Sequence, residues 1–196
     1  SLKLHVDDLK YVMAKLGIDR ASLVGISHGS RVALAMATQY PDKVDRLVLC
    51  SLGAKTNQRS MATVRSWLQL LLLSGLEAMA WAALPAVFGE NFLKQHQNSL
   101  DMIVKAVVKR NRKEALIAQL EAILQYPPPD VVPMDFKRPT LVITGAQDPL
   151  VDVEDAERLA DLCKAQYKQL SGIGHSIPAE AQPVFEKVVV EFLMQQ

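Results

Sequence analysis

Two of the 196 residues are cysteine and four are histidine. Cys50 and Cys163 form no metal-ligand spacing and no disulfide framework, and they read as reduced thiols. Neither sign of charge is in excess: 22 Lys and Arg stand against 21 Asp and Glu, a net charge of +1. That balance argues against nucleic acid or a strongly anionic surface as partner. No internal repeat and no low-complexity tail is present. The opening residues lack a charged segment followed by a short apolar one, so no secretory signal is read and a cytoplasmic location is expected. Long apolar runs are few. One, "WLQLLLLSGLEAMAWAALPAVF" from Trp67 to Phe88, has about the length of a membrane span of roughly 20 residues. Glu77 near its middle would cost about 2.5–3.5 kcal/mol in a bilayer. Ser74-Gly75 and Pro85 also punctuate it, so two shorter helices, buried or lining a pocket, are expected, with no membrane partner.

What is present is an ordinary globular balance, 49% apolar residues in a chain long enough for one domain with a sizeable core. "HVDDLKYVMAKLG" sets Val6, Leu9, Val12, Met13 and Leu16 on one helical face, and Gly17 is a plausible stop. "ASLVGIS" reads as a short strand ending at Ser27, residues 30–40 as a helix, and "DRLVLCS" as a second strand. Alternation of helix and strand implies parallel strands with crossover helices. From Ala54 to Tyr126 only helical patterns occur, one of them with Asn111 and Glu114 in capping-box spacing. Pro127-Pro128-Pro129 and Pro133 break the chain. Strand character returns at "TLVITG", followed by a helix at "VEDAERLADLCKAQ", a short strand at "YKQLSG" and a last helix at "QPVFEKVVVEFLMQ". The division expected is an α/β core at residues 1–53 and 129–196, interrupted by a helical segment at 54–128.

Gly25-Ile26-Ser27-His28-Gly29 matches G-x-S-x-G between an expected strand and an expected helix, the context that gives the motif meaning. A sharp turn there lifts the serine above the sheet, and glycines two before and two after remove Cβ atoms that would clash. The helix beyond Ser27 turns its positive end toward any oxyanion formed there, with the backbone N–H of His28 as donor. The plainer alternative is a glycine-containing turn with an incidental serine.

A serine nucleophile needs a base, oriented in turn by a carboxylate, and on this architecture they follow in the order Ser, Asp, His. His5 lies on an early helix, His28 adjoins the serine, and His96 lies in the helical segment. His175 sits in "SGIGHSIPAE", a loop after the last strand, on the side where α/β sheets build their sites. Asp148 in "ITGAQDPLVD" lies just past another strand. Its competing role is a turn before Pro149, and Asp152 is the alternative acid, unless it caps the next helix.

These three segments, "LVGISHGSRVALAMATQYPDKVDRLVLCS", "RPTLVITGAQDPLVDVEDAERLA" and "LSGIGHSIPAEAQPVFEKVVVEFL", together resemble the α/β-hydrolase superfamily. The resemblance implies Ser27 as nucleophile, Asp148 as orienting acid, His175 as general base and the helical segment as a cap. That segment looks most like the carboxylesterase and enol-lactonase branch. A serine at position 27 argues against the dehalogenases of the superfamily, which use aspartate there. A serine hydrolase acting on a small carboxylic ester, lactone or thioester is expected, with no cofactor and no metal. Trp67, Trp81, Leu84 and Phe88 are candidate pocket residues for an acyl or aromatic substrate part. Acyl transfer and carbon–carbon bond hydrolysis are alternatives on the same residues, and an inactive fragment or interaction module is a third.

In that superfamily the elbow follows the fifth strand, and a His-Gly loop after the third supplies a second oxyanion donor. Twenty-six residues precede Ser27 here, and four further strands would need on the order of 60–80 more. The sequence therefore resembles the C-terminal part of the fold. A truncated hydrolase, one piece of a two-chain assembly and a half-sheet protein are the readings it allows. In each, strand 22–27 is expected at the sheet edge, open to pairing with a second copy. The base must be neutral to take a proton, so the rate of any hydrolysis is expected to fall in acid. A rate unchanged between about pH 5 and about pH 9 would contradict that.

Overall fold

The computed structural model describes residues 1–55, 57–125 and 137–195. The proline-rich break at 126–136, and with it the expected boundary at 128/129, lies outside the described residues. Helix α1 (Leu2–Lys15) starts at Ser1, whose Oγ accepts the N–H of Leu4, and ends at Gly17 with a positive φ of 67°. Strand β1 (Ala21–Ile26), helix α2 (His28–Gln39), a 3-10 turn at Pro41–Lys43 and strand β2 (Val44–Cys50) follow. After the helical insertion come β3 (Thr140–Gly145), α7 (Val153–Cys163), β4 (Gln166–Leu170), α8 (Ile177–Glu180) and α9 (Gln182–Leu193). Among the described residues the strands form one parallel sheet in the order β1-β2-β3-β4.

Alternation along the two central strands separates the layers. Leu47, Leu49 and Val142 point to the face covered by α1, α2 and α7, where Met36 and Leu159 are buried with them. Val48, Cys50, Leu141 and Ile143 point to the other face, against Ile177 of α8 and Val189 and Phe192 of α9. Covered on both sides, β2 and β3 read as nearly unbroken apolar runs, as buried parallel strands do. Strand β1 lies at the edge, and Val24 and Ile26 are each 42% exposed. The apolar stripe expected on α1 is narrower than its periodicity suggests. Val6 and Met13 are buried and Leu9 is half-buried, but Val12 and Leu16 face solvent. Helix α1 packs mainly on α2, and a single neighbouring helix covers only a narrow stripe.

The helical insertion comprises α3 (Gln58–Val87), α4 (Glu90–Gln95), α5 (Leu100–Arg110) and α6 (Lys113–Gln125). Helix α3 is long and apolar enough to cross a membrane by length and composition. Gly75, at φ 87° and ψ −178°, interrupts it, while Pro85 stays inside its last turns. The expected break therefore falls at Gly75 alone. The two halves pack against α6 and α5, burying Leu71, Met79, Leu84, Leu120 and Val104. Asn57 caps α3, accepting the N–H of Ser60 at 2.6 Å. The capping box expected at Asn111 does not form. Only Asn111 and Arg112 separate α5 from α6, and the Asn111 amide donates back to the carbonyl of Val107 at 2.8 Å, closing α5 instead of opening α6.

Strand β1 and α2 approach so closely that a Cβ on Gly25 would lie 2.5 Å from the Cα of Ser30 and 2.6 Å from the carbonyl oxygen of Gly29. Both are backbone atoms of the helix start, which cannot swing aside. Gly25→Ala is therefore expected to lower stability by at least the ~1–3 kcal/mol of ordinary overpacking, measured by urea denaturation. Gly29→Ala is expected to leave the midpoint unchanged or raise it, because a Cβ there meets nothing within 4 Å. Burial pushes the Cys50 thiol up to about 12 and that of Cys163 to about 11. Neither is expected to react with a disulfide reagent in the native protein at about pH 8, and both after unfolding. Fast labelling of either in the native state would contradict their placement.

Candidate active site

Ser27 stands between β1 and α2 with φ 51° and ψ −114°, a left-handed conformation for a residue with a side chain. Such a backbone costs on the order of 1–3 kcal/mol and persists only where its surroundings hold it. Here the Ser27 N–H donates to the carbonyl of Cys50 at 2.8 Å, and the Ser27 carbonyl accepts from Ser30 N–H at 3.0 Å. The buried Ser30 hydroxyl exchanges two bonds with the backbone of Cys50, at 2.7 and 3.0 Å, and so ties the first turn of α2 to β2. Gly25 supplies the clearance that the turn needs. Gly29 does not, contrary to the sequence expectation: it lines the cavity over Ser27, where a Cβ would meet open space.

Asp148 and His175 come from loops beyond the carboxyl ends of β3 and β4. The Asp148 side chain is fully buried. Its Oδ1 accepts the backbone N–H groups of Leu150 at 2.8 Å and Val151 at 3.1 Å, and its Oδ2 lies 2.7 Å from His175 Nδ1. An ionised carboxylate only accepts, so Nδ1 carries the proton of the neutral ring and Nε2 keeps its lone pair. Nε2 lies 2.7 Å from Ser27 Oγ. This arrangement can draw a proton from a serine hydroxyl and hand it on. Asp152, the alternative acid, is the N-cap residue of α7, and its Oδ2 accepts from the Asn57 amide at 3.0 Å. Ser51, which sequence reasoning did not single out, has φ 54° and donates its hydroxyl to the His175 carbonyl at 2.7 Å.

His28 is the first residue of α2, so its backbone N–H sits at the positive end of the helix. Its ring packs edge-on against that of His5, with centroids 5.5 Å apart. Burial, then the charges of His5 and Arg31, lower its pKa, so the ring is neutral near pH 7. The His96 ring lies tilted against that of Phe92, with centroids 4.2 Å apart.

A cavity of about 560 Å³ opens over Ser27 and His175 and is walled largely by the insertion. Trp67, Leu84 and Phe88 line it, as do Met79, Leu120 and Ile123, which sequence reasoning missed. Trp81 does not. It is 39% exposed on the outer side of α3, because Ala80 and Leu84 turn inward and the residue after Ala80 lies a quarter-turn away. Arg31 and Lys55 also line the cavity, and burial lowers the pKa of Arg31. Among the described residues no group of three or more His, Cys, Asp or Glu side chains could hold a metal ion.

Comparison with known proteins agrees with this architecture. The family described as the alpha/beta hydrolase fold matches residues 3–182. A 2-hydroxy-6-oxononadienedioate/2-hydroxy-6-oxononatrienedioate hydrolase of Paraburkholderia phymatum is 30% identical over 202 residues, covering 98% of this chain and 68% of that protein. RutD of Caulobacter vibrioides, provisionally named a carbamate hydrolase, is 26% identical over 190 residues, 95% of this chain and 70% of its own. Among solved structures, the enol-lactonase of Burkholderia xenovorans LB400 superposes with a TM-score of 0.87 at 27% identity, over all of this chain and 74% of that one. With sheet, crossovers and insertion in common with such enzymes, the chain belongs to the α/β-hydrolase family and is a hydrolase of its esterase and lactonase branch.

Proposed function

We propose that this hydrolase cleaves a small carboxylic ester, lactone or thioester through an acyl-enzyme on Ser27. The observation that carries the reading is the unbroken relay from Asp148 Oδ2 through His175 to Ser27 Oγ, with 2.7 Å at each step, at the floor of a largely apolar cavity. The Ser27 oxygen attacks the carbonyl carbon as its proton passes to His175 Nε2. The imidazolium, held by Asp148, returns that proton to the departing alcohol or thiol. Water then attacks the acyl carbonyl, gives a proton to the same nitrogen, and Ser27 is released with its hydrogen restored. The N–H of His28 at the start of α2 stabilises the oxyanion. Helices α3 to α6 act as the cap, with Trp67, Leu84 and Phe88 against the acyl portion. The enol-lactonase of known structure supports a lactone among the candidate substrates.

The relative from P. phymatum favours a second reading, hydrolysis of a carbon–carbon bond beside a ketone on the same residues. A screen of p-nitrophenyl acetate, simple lactones and a vinylogous 1,5-diketone separates the two by which substrate turns over. Val24 and Ile26, exposed on β1, support association of two copies through that edge, and sedimentation that finds only monomer at micromolar concentration would exclude it.

Ser27→Ala is expected to abolish ester turnover, and Asp148→Asn to lower kcat by about 10⁴-fold, because the ring loses its tautomer while keeping its place. Thermal melts should show both variants folded. Turnover that survives in Ser27→Ala would rule out the acyl-enzyme. Phe88→Ala and Leu84→Ala are expected to raise KM for a butyrate ester more than for an acetate ester, because the shorter acyl group touches less of that wall.

A further inference from the structure

The loop that carries His175 is anchored by a carboxylate with no part in the proton relay. Glu180 ends the short helix α8, five residues after the histidine. Its Oε2 accepts the N–H of Gly174 at 2.9 Å, and its Oε1 accepts that of Ser176 at 3.2 Å. The N–H groups of the residues on either side of His175 thus converge on one side chain. The third fixed point is the His175 carbonyl, held by Ser51 Oγ at 2.7 Å. Three bonds around one residue leave its backbone little freedom, and the imidazole hangs from that backbone.

The same carboxylate reaches the insertion. Oε2 also accepts the N–H of Gly89 at 2.8 Å, just beyond the end of α3. Ser176 N–H donates as well to the carbonyl of Val87 at 2.8 Å, and Gln147 Oε1 accepts the N–H of Glu90 at 3.0 Å. The two chain segments touch as bare backbone. A Cβ on Gly174 would lie 2.4 Å from the nitrogen of Gly89 and 2.8 Å from the carbonyl carbon of Phe88. Between Val87 and Gly89 stands Phe88, a wall of the cavity.

We propose that Glu180 is a positioning residue that locks the His175 loop and the Phe88 end of helix α3 into one unit, setting at once the Nε2-to-Oγ distance and the distance from the acyl wall to the base. The proposal rests on the acyl-enzyme reading of Ser27 for its kinetic arm, but not for its spectroscopic one. What the site needs from Glu180 is reach and acceptor oxygens more than charge. A glutamine keeps the carbonyl oxygen that serves Gly89 and Gly174 and gives up only the bond to Ser176, whose N–H still has the carbonyl of Val87, whereas an aspartate keeps the charge and loses the reach.

The test compares wild type with Glu180→Gln, Glu180→Asp and Glu180→Ala in the full chain, at a temperature where melts show each folded. Two readouts are taken. One is the pre-steady-state acylation rate and KM with p-nitrophenyl acetate, with Ser27→Ala as the zero. The other is the downfield proton NMR signal of the Nδ1–H between His175 and Asp148, which needs no turnover. Glu180→Asp and Glu180→Ala are expected to slow acylation by about 10–100-fold, the scale of a misplacement of about 1 Å, with a broadened or lost signal. Glu180→Gln is expected within about fivefold of wild type, its signal retained. If Glu180→Ala does not fold, Glu180→Asp carries the comparison. A merely structural glutamate would lower the melting temperature of Glu180→Asp and leave both the rate and the signal of the folded protein unchanged, and that result would overturn the proposal. A wild type with the signal but no acylation would overturn the acyl-enzyme reading instead, and the signal in the variants would still decide the role of Glu180.

Discussion

An imidazole can hold its free nitrogen toward a serine when its other nitrogen is already satisfied, and the 2.7 Å contact between His175 Nδ1 and the buried Asp148 carboxylate satisfies it here. Much of the surrounding structure serves this contact. The carboxylate is fixed in place because two backbone N–H groups, of Leu150 and Val151, hold its other oxygen. The ring keeps its orientation because the His175 carbonyl and the N–H groups of its two neighbours, Gly174 and Ser176, are tied down, to Ser51 and to Glu180. Were the carboxylate absent, either tautomer of the ring would be open to it, and Nε2 would no longer be reserved for Ser27.

The parallel sheet brings these groups together. Ser27, Asp148 and His175 follow β1, β3 and β4, all running the same way, so their loops meet at one end of the sheet. Only there does the strained Ser27 backbone make physical sense. Its cost is met by the Cys50 carbonyl and by the Ser30 hydroxyl, both anchored in the central strand β2. The insertion then closes over that end and converts an exposed loop cluster into a cavity with an apolar roof. The apolar wall of the cavity and the alignment of the ring thus come from separate parts of the chain, joined at Gly89 and Gly174.

Much of this was legible in the residues, for a reason that differs with each element. Buried parallel strands must be apolar on both faces, so "DRLVLCS" and "TLVITG" announce themselves. The chain order of serine, aspartate and histidine picks out Asp148 and His175 from the few acids and histidines placed after strands. Other features have no local signal. Helix α3 is apolar nearly all round, so periodicity could not say that Ala80 and Leu84 face inward and Trp81 outward. Glu180, Ser51 and Ser30 bond to backbone groups, some of them distant in sequence, and a polar residue does not advertise a peptide partner. The capping-box spacing at Asn111 misleads because the end of α5 claims that side chain first. The motif suggests one reason for both glycines, whereas clearance is needed at Gly25 and not at Gly29.

Activation of Ser27 by His175 is tested most directly by intact-mass spectrometry after exposure to a fluorophosphonate. One adduct per chain is predicted on the folded protein, mapped to Ser27, absent from Ser27→Ala and strongly slowed in His175→Ala. A folded protein that takes up no adduct, or takes it up equally in Ser27→Ala, would contradict the account.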